Sequence, residues 1–378
     1  MLSFNFATAG RIAFGAGRSA ELAEAVADLG KRPFICTGSD ASRHLSVYES
    51  LADYATFAIA GEPTMEVVRA GAAAAREHGA DVVIGVGGGA VLDAAKVIAA
   101  LATNGGDPLD YAEVVGDGRP LSVASLPVVA LPTTAGTGSE VTANGVVTST
   151  EHRVKVSLRS ASMLPRVAIV DPGLTLTCPP GTTAHAGLDA LVQCIEPFVS
   201  PFATPLTDGF CREGIRRAAS GLRRAYHHPE DLDARTDVSL CALLSGLALA
   251  NGKLGAAHGL AGPLGGYLGA PHGAITAAVM VAVSEHNLTA LGVSGNNAVI
   301  DRYAEVGELL TGQREPSAFT EWFAETAADL GVRGLAELGL TEEGIDEVSR
   351  AAANASSTKG NPVRVTPTDL AGILRACM

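Results

Sequence analysis

Val82-Val83-Ile84-Gly85-Val86-Gly87-Gly88-Gly89-Ala90, followed at once by Val91-Leu92-Asp93-Ala94-Ala95-Lys96, runs an apolar strand-like segment into three glycines and then into a helical stretch. Without Cβ atoms, such a turn lets backbone N–H groups approach an anion, and the helix N-terminus behind it adds partial positive charge. The segment therefore reads as strand, phosphate cradle and helix, the building unit of an α/β nucleotide-binding domain. It is not the GxGxxG fingerprint, and it lacks the GK[ST] ending of a P-loop, so both of those specific motifs are excluded. A glycine turn made only for packing is the competing reading.

Outward from this point the first half alternates short apolar runs with helical periodicity. Strands are expected at 32–36, 55–59, 81–86, 128–131 and 167–170, with helices at 19–29, 65–77 and 92–101. A second Gly-rich polar loop, Leu131-Pro132-Thr133-Thr134-Ala135-Gly136-Thr137-Gly138-Ser139-Glu140, also follows a strand. In open α/β sheets ligands bind at the carboxyl ends of strands, so two such loops favour one extended ligand. The strand at 32–36 runs on through Thr37, Gly38, Ser39 and Asp40, a third strand end of the same kind.

After Asp171 and Pro172 the β-branched runs thin out and Ala, Leu and Gly-rich helical segments take over, with helices expected at 183–199, 205–219, 232–250 and 297–310. The Pro179-Pro180 pair marks the change. The fold expected is α/β: an N-terminal Rossmann-like parallel-sheet domain over 1–177 and an all-helical domain over 178–378. A chain of 378 residues, at about 100 to 200 per domain, has room for both.

Hydrophobic residues are 47% and charged residues 18% of the chain, which excludes a disordered protein and suggests surface buried between subunits. The net charge of -13 and the lack of a basic run argue against nucleic acid and membrane surfaces as partners and leave a small molecule. The stretch 242–283 carries one charge, Lys253, but its glycines, histidines, Pro263 and Pro271 suggest interior helices broken by turns rather than a membrane span. Six cysteines without a CxxC pair and without a recognisable leader are expected to be reduced cytoplasmic thiols.

In the helical half Asp189 and Gln193 stand four apart and share a helix face, and His258 and His272 come from later segments. One carboxylate and two imidazoles can hold a divalent ion with positions left open for substrate, although buried histidines also serve as hydrogen-bonded core residues. His185 is expected to cap the start of this helix and His227-His228-Pro229 to form a surface turn. Arg212, Arg216, Arg217, Arg223 and Arg224 form a charged face.

Taken together, Gly85 to Gly89, Asp93 to Lys96, Pro132 to Glu140, 164–172, Gly187 to Glu196, 203–208 and the span between His258 and His272 resemble the iron-containing (group III) alcohol dehydrogenases, relatives of glycerol dehydrogenase, maleylacetate reductase and dehydroquinate synthase. The resemblance implies that Gly87, Gly88, Gly89 and Asp93 hold the diphosphate and its helix, that Thr133, Thr134, Thr137 and Ser139 line the nicotinamide side, and that Lys155 lies near the cofactor. It places Asp189, His258 and His272 on metal-ligand positions, with Gln193 where the iron enzymes have a fourth ligand, a histidine. A further histidine of the family is Gly262 here. An amide oxygen is a weaker ligand than imidazole for Fe2+ or Zn2+, so a three-ligand site, a metal-free reductase like maleylacetate reductase and a repurposed relative all stay open.

The function this implies is reversible hydride transfer between NAD or NADP and an alcohol, aldehyde or ketone, in a cytoplasmic homodimer or larger oligomer. Gly38 replaces the acidic residue usual in NAD-preferring members; Ser39, Ser42 and Arg43 would admit a 2′-phosphate, and Asp40 would repel it if turned inward. A lyase like dehydroquinate synthase and a catalytically inactive nucleotide sensor are the rivals. The dehydrogenase reading expects a crevice between the two domains, with the dinucleotide on one side and the metal ligands on the other.

Overall fold

In the computed structural model, which describes residues 3–113, 115–152 and 154–378, the chain forms two compact units. One comprises Ala7–Thr134 and Gly138–Thr177; the other comprises Cys178–Met378 together with Ala135–Thr137 and the described residues up to Phe6.

The first unit carries eight strands, β1 (Arg11–Phe14), β2 (Pro33–Gly38), β3 (Ala55–Ile59), β4 (Val82–Gly87), β5 (Val128–Pro132), β6 (Asn144–Ser149), β7 (Val154–Arg159) and β8 (Val167–Val170). Its helices are α1 (Leu22–Ala27), α2 (Leu45–Tyr48), α3 (Met65–His78), α4 (Gly89–Asn104) and α5 (Pro108–Tyr111). Six strands make one parallel sheet in the order β1-β8-β5-β4-β2-β3, and β6 and β7 pair as a separate antiparallel hairpin. Every residue of β4 and β5 is buried, as a parallel sheet covered on both faces requires, whereas the edge strand β3 alternates half-buried and exposed residues and buries only Ile59.

All five expected strands are present, within a residue or two of their bounds. The sequence reading missed β1 and the hairpin. β1 is a four-residue edge strand, and β6 alternates buried and half-buried residues with Thr and Ser among them, which resembles a polar loop when its partner is unknown. The helix expected at 19–29 is split, because Arg18–Glu21 form a tighter 3-10 turn before α1.

The second unit is helical: α6 (Pro180–Val199), α7 (Pro205–His227), α8 (Leu232–Gly252), α9 (Ala256–Leu268), α10 (His272–Ser294), α11 (Asn297–Thr311), α12 (Pro316–Asp329), α13 (Glu342–Asn354) and α14 (Pro367–Ala376). Pro180 opens α6 from its first turn, where its missing N–H costs nothing, so the helix begins three residues before the expected Thr183. Past the expected end at 219, α7 continues because Gly221 packs directly on α8, where a Cβ would stand 2.9 Å from the Ala234 carbonyl oxygen. Pro263 does not break its helix as expected; it lies inside α9, and the breaks fall at 253–255 and at Gly269 to Pro271. The apolar helix α10 is long enough to cross a membrane, but more than half of its apolar window is buried inside the unit. Five of the six cysteines are buried and Cys377 is half-buried.

Candidate active site

The α/β unit gathers three loops at one edge of its sheet. β5, β4 and β2 are neighbours, with Gly87 opposite Pro132 and Thr37 opposite Val86, so Gly38, Gly87–Gly89 and Thr133–Thr134 follow three adjacent strands at their carboxyl ends. Thr133 donates its backbone N–H to the Gly87 carbonyl, tying two of the loops together. The glycines have separate reasons. A Cβ on Gly87 would stand 2.5 Å from a Val91 methyl, and one on Gly88 would stand 3.2 Å from Thr134. Gly88 is the N-cap of α4 and no side chain caps the helix, so its first N–H groups are available to an anion. Gly38 has ordinary strand geometry at the end of β2, and a Cβ there would meet nothing within 4 Å, so it leaves open room rather than closing a turn. The Asp40 carboxylate accepts from the Ser42 N–H and hydroxyl, which hold its pKa below the usual carboxylate range.

Asp93 and Ser139, expected at the cofactor, are hydrogen-bonded to each other. The Ser139 hydroxyl donates to one Asp93 oxygen, the Lys96 ammonium lies 3.1 Å from that oxygen, and the Val146 N–H donates to the other. Lys96 also donates to the Ser139 carbonyl and the Thr142 hydroxyl, both at 2.9 Å. This clasp pins the loop after β5 to α4. Lys155, on β7, pairs with Glu62 at 3.3 Å. Thr137 is exposed and belongs to the helical unit, whereas Thr133 and Thr134 belong to the α/β unit.

In the helical unit α6 contributes Asp189, α9 contributes His258 and α10 contributes His272, and one ligand atom from each lies within 4.8 Å of the others. Asp189 and His258 are buried, and the two imidazole rings are 5.5 Å apart. His258 Nε2 is 3.5 Å from an Asp189 oxygen, an ion-pair distance, and it is a buried nitrogen without a hydrogen-bond partner. Its other nitrogen, Nδ1, is 2.6 Å from Glu196. Burial alone would push His258 down, yet the flanking Glu196 and Asp189 carboxylates hold it up at about 10. Burial would raise Asp189, but the neighbouring His258 and His272 imidazoles and the Thr276 hydroxyl keep it low. Two imidazoles facing one carboxylate, with a buried ring nitrogen unmet, form the donor set that a divalent cation satisfies by displacing protons from the rings.

Gln193, at the position where the iron enzymes have a histidine, is hydrogen-bonded at both ends of its amide. Its Nε2 donates to Asp189 at 2.7 Å, and its Oε1 accepts from the Ser245 hydroxyl at 2.9 Å. At Gly262, where the family has a further histidine, a Cβ would meet nothing within 4 Å. His185 is not a cap either: it lies inside α6, half-buried, and Pro179 is the N-cap. Glu196, Thr276 and Ser245 were missed. Glu196 stands seven residues after Asp189 and Thr276 four after His272, spacings that place each on its ligand's helix face.

The chain matches the family models "Iron-containing alcohol dehydrogenase" over residues 9–172 and "Fe-containing alcohol dehydrogenase family, C-terminal" over residues 183–378. It is 35% identical over 326 residues to 4-hydroxybutyrate dehydrogenase of Cupriavidus necator, covering 84% of this chain and 82% of that protein. Among solved structures it is similar to an alcohol dehydrogenase from Oenococcus oeni, with a TM-score of 0.91 and 29% identity, and to a 1,3-propanediol oxidoreductase, with a TM-score of 0.89 and 30% identity; both matches cover 100% of each chain.

Proposed function

Because the chain belongs to the iron-containing alcohol dehydrogenase family, we propose that it is a nicotinamide-dependent alcohol dehydrogenase whose Asp189, His258 and His272 hold a divalent ion. The observation that carries the ion is His258 Nε2, buried and without a hydrogen-bond partner opposite Asp189. Leaving such a group unmet costs about 1–3 kcal/mol, which a cation removes. A bound ion would supply Lewis-acid polarisation of a substrate oxygen, and a bound nicotinamide would exchange the hydride.

The chain's own residues prepare both. Asp189 brings the negative charge, its second oxygen held by Gln193 and its first by Thr276. Three protein ligands suit zinc with an open position, and two histidines with a carboxylate suit ferrous iron, so either metal is compatible with this set. In the α/β unit we assign the diphosphate to Gly87, Gly88 and Gly89 at the start of α4, the nicotinamide side to Thr133, Thr134 and Thr137, and a nearby cofactor contact to Lys155. Asp93 and Ser139 shape that loop from behind. With Gly38 open and Asp40 turned onto Ser42, the ribose end has room for NAD or NADP. We assign the dinucleotide to 1–177 and the metal chemistry to 178–378. The mostly buried cysteines and the apolar composition support a cytoplasmic homo-oligomer.

The test is metal quantification on purified protein, followed by NADH and NADPH oxidation with aldehydes, ketones and ω-oxo acids. Asp189→Ala and His272→Ala should each lower kcat/KM on the order of a hundredfold or more. Full turnover at sub-stoichiometric metal would discard the ion.

A further inference from the structure

We infer that Glu196 is a positioning residue for the metal centre: it holds His258 by Nδ1 and caps the helix that carries it, leaving Nε2 to face the ion. The inference rests on the metal reading above and concerns how the chain prepares one ligand.

Glu196 is buried near the end of α6, and its two oxygens have different tasks. One lies 2.6 Å from His258 Nδ1, and the other accepts the Ala257 N–H at 2.7 Å. A helix start leaves its first N–H groups unpaired, and α9 begins at Gly255 with no side-chain cap of its own. The cap is supplied from elsewhere: Glu196 takes the Ala257 N–H, and Asn361 takes the Ala256 N–H at 3.2 Å. A Cβ on Gly255 would stand 2.8 Å from a Glu196 oxygen and 3.2 Å from the Asn361 oxygen, so both acceptors need glycine there. A carboxylate is also the side chain that the positive end of a helix favours.

The consequence for His258 is a choice of tautomer. With Nδ1–H donated to a carboxylate, the lone pair of the neutral ring lies on Nε2, the nitrogen that has no hydrogen-bond partner and faces Asp189. Partners of this kind typically change metal affinity by about 10- to 100-fold.

Glu196→Gln keeps the volume but has one acceptor oxygen for two donors. It should weaken Zn2+ binding, read by chelator competition, by about 10- to 100-fold, and shift the visible absorption of the Co2+-loaded protein, while the lost cap acceptor also lowers the melting temperature of the metal-free protein. Asn361→Ala removes the other half of the cap without touching His258; it should lower the melting temperature and leave Zn2+ affinity at the wild-type value. Unchanged affinity in E196Q, or an equal loss in N361A, overturns the inference. Should E196Q fail to fold, 15N NMR of the zinc-loaded wild type decides: protonation at Nδ1 of His258 supports the assignment, and ligation through Nδ1 overturns it. A wild-type protein that takes up no Zn2+ and no Fe2+ would remove the metal reading itself, and this inference with it.

Discussion

Glu140 follows Ser139 in the clasped loop and is buried beside the Lys96 ammonium, where desolvation raises its carboxyl to about 7 against the pull of Lys96. Its folded pKa lies above its unfolded value, so the unfolded chain loses this proton first as pH rises. Stability from this group is therefore full below the ordinary carboxylate range and falls away up to about pH 7. Glu140→Gln should gain on the order of 3 kcal/mol relative to wild type across that window, since the rise from 4.5 to about 7 counts at about 1.4 kcal/mol per pKa unit. Denaturant midpoints measured from acid to neutral pH check this, and parallel curves for the two proteins would refute it. The clasp was only half legible in the sequence. Asp93 and Ser139 were singled out, but as ligand contacts, because a carboxylate and a hydroxyl in glycine-rich loops suit an anion-binding loop and a buried lysine's salt bridge equally well.

At the next level, α6 and α10 meet so closely that their contact depends on a glycine. A Cβ on Gly273 would stand 2.2 Å from the His185 carbonyl oxygen and 3.1 Å from the Asp189 Cβ. Neither is the free end of a flexible chain, so Gly273→Ala must push the helices apart. Because His272 adjoins Gly273 and Asp189 lies on the facing helix, the same displacement separates two ligands. We expect a loss of about 1–3 kcal/mol from overpacking together with weaker Zn2+ binding, read by melting and chelator competition; a variant with both properties intact would show that α10 has slack. The bodies of α6, α7, α8 and α11 were readable from their period, whereas the proline start of α6 and the helices α12, α13 and α14 were not singled out. The continuation of α7 past Gly221 was not legible, since what keeps it helical is α8 packed against that glycine.

For the molecule as a whole, the three candidate ligands Asp189, His258 and His272 all belong to the helical unit, and so does the single tryptophan, Trp322 on α12. Trp322 packs against the helical core, so its fluorescence follows the unfolding of the unit that holds the three ligands. Zn2+ at a hundredfold its Kd should stabilise that transition by about 2.7 kcal/mol. A tryptophan transition insensitive to zinc would place the ion elsewhere or nowhere.

Residue order was enough for the alternation of strand and helix, for the change to an all-helical half after Pro180, and for the family, because each rests on local periodicity and on motifs written along the chain. Asp189, His258 and His272 were legible in the same way. What Gln193 and Glu196 do was not, since both lie on the Asp189 face of one helix and sequence assigns them equal standing. Contacts from other helices separate them: Ser245 on α8 turns the amide oxygen of Gln193 away, whereas the start of α9 brings His258 and an N–H onto Glu196. A hydrogen bond needs direction as well as proximity, and direction across helices exists only once they have packed.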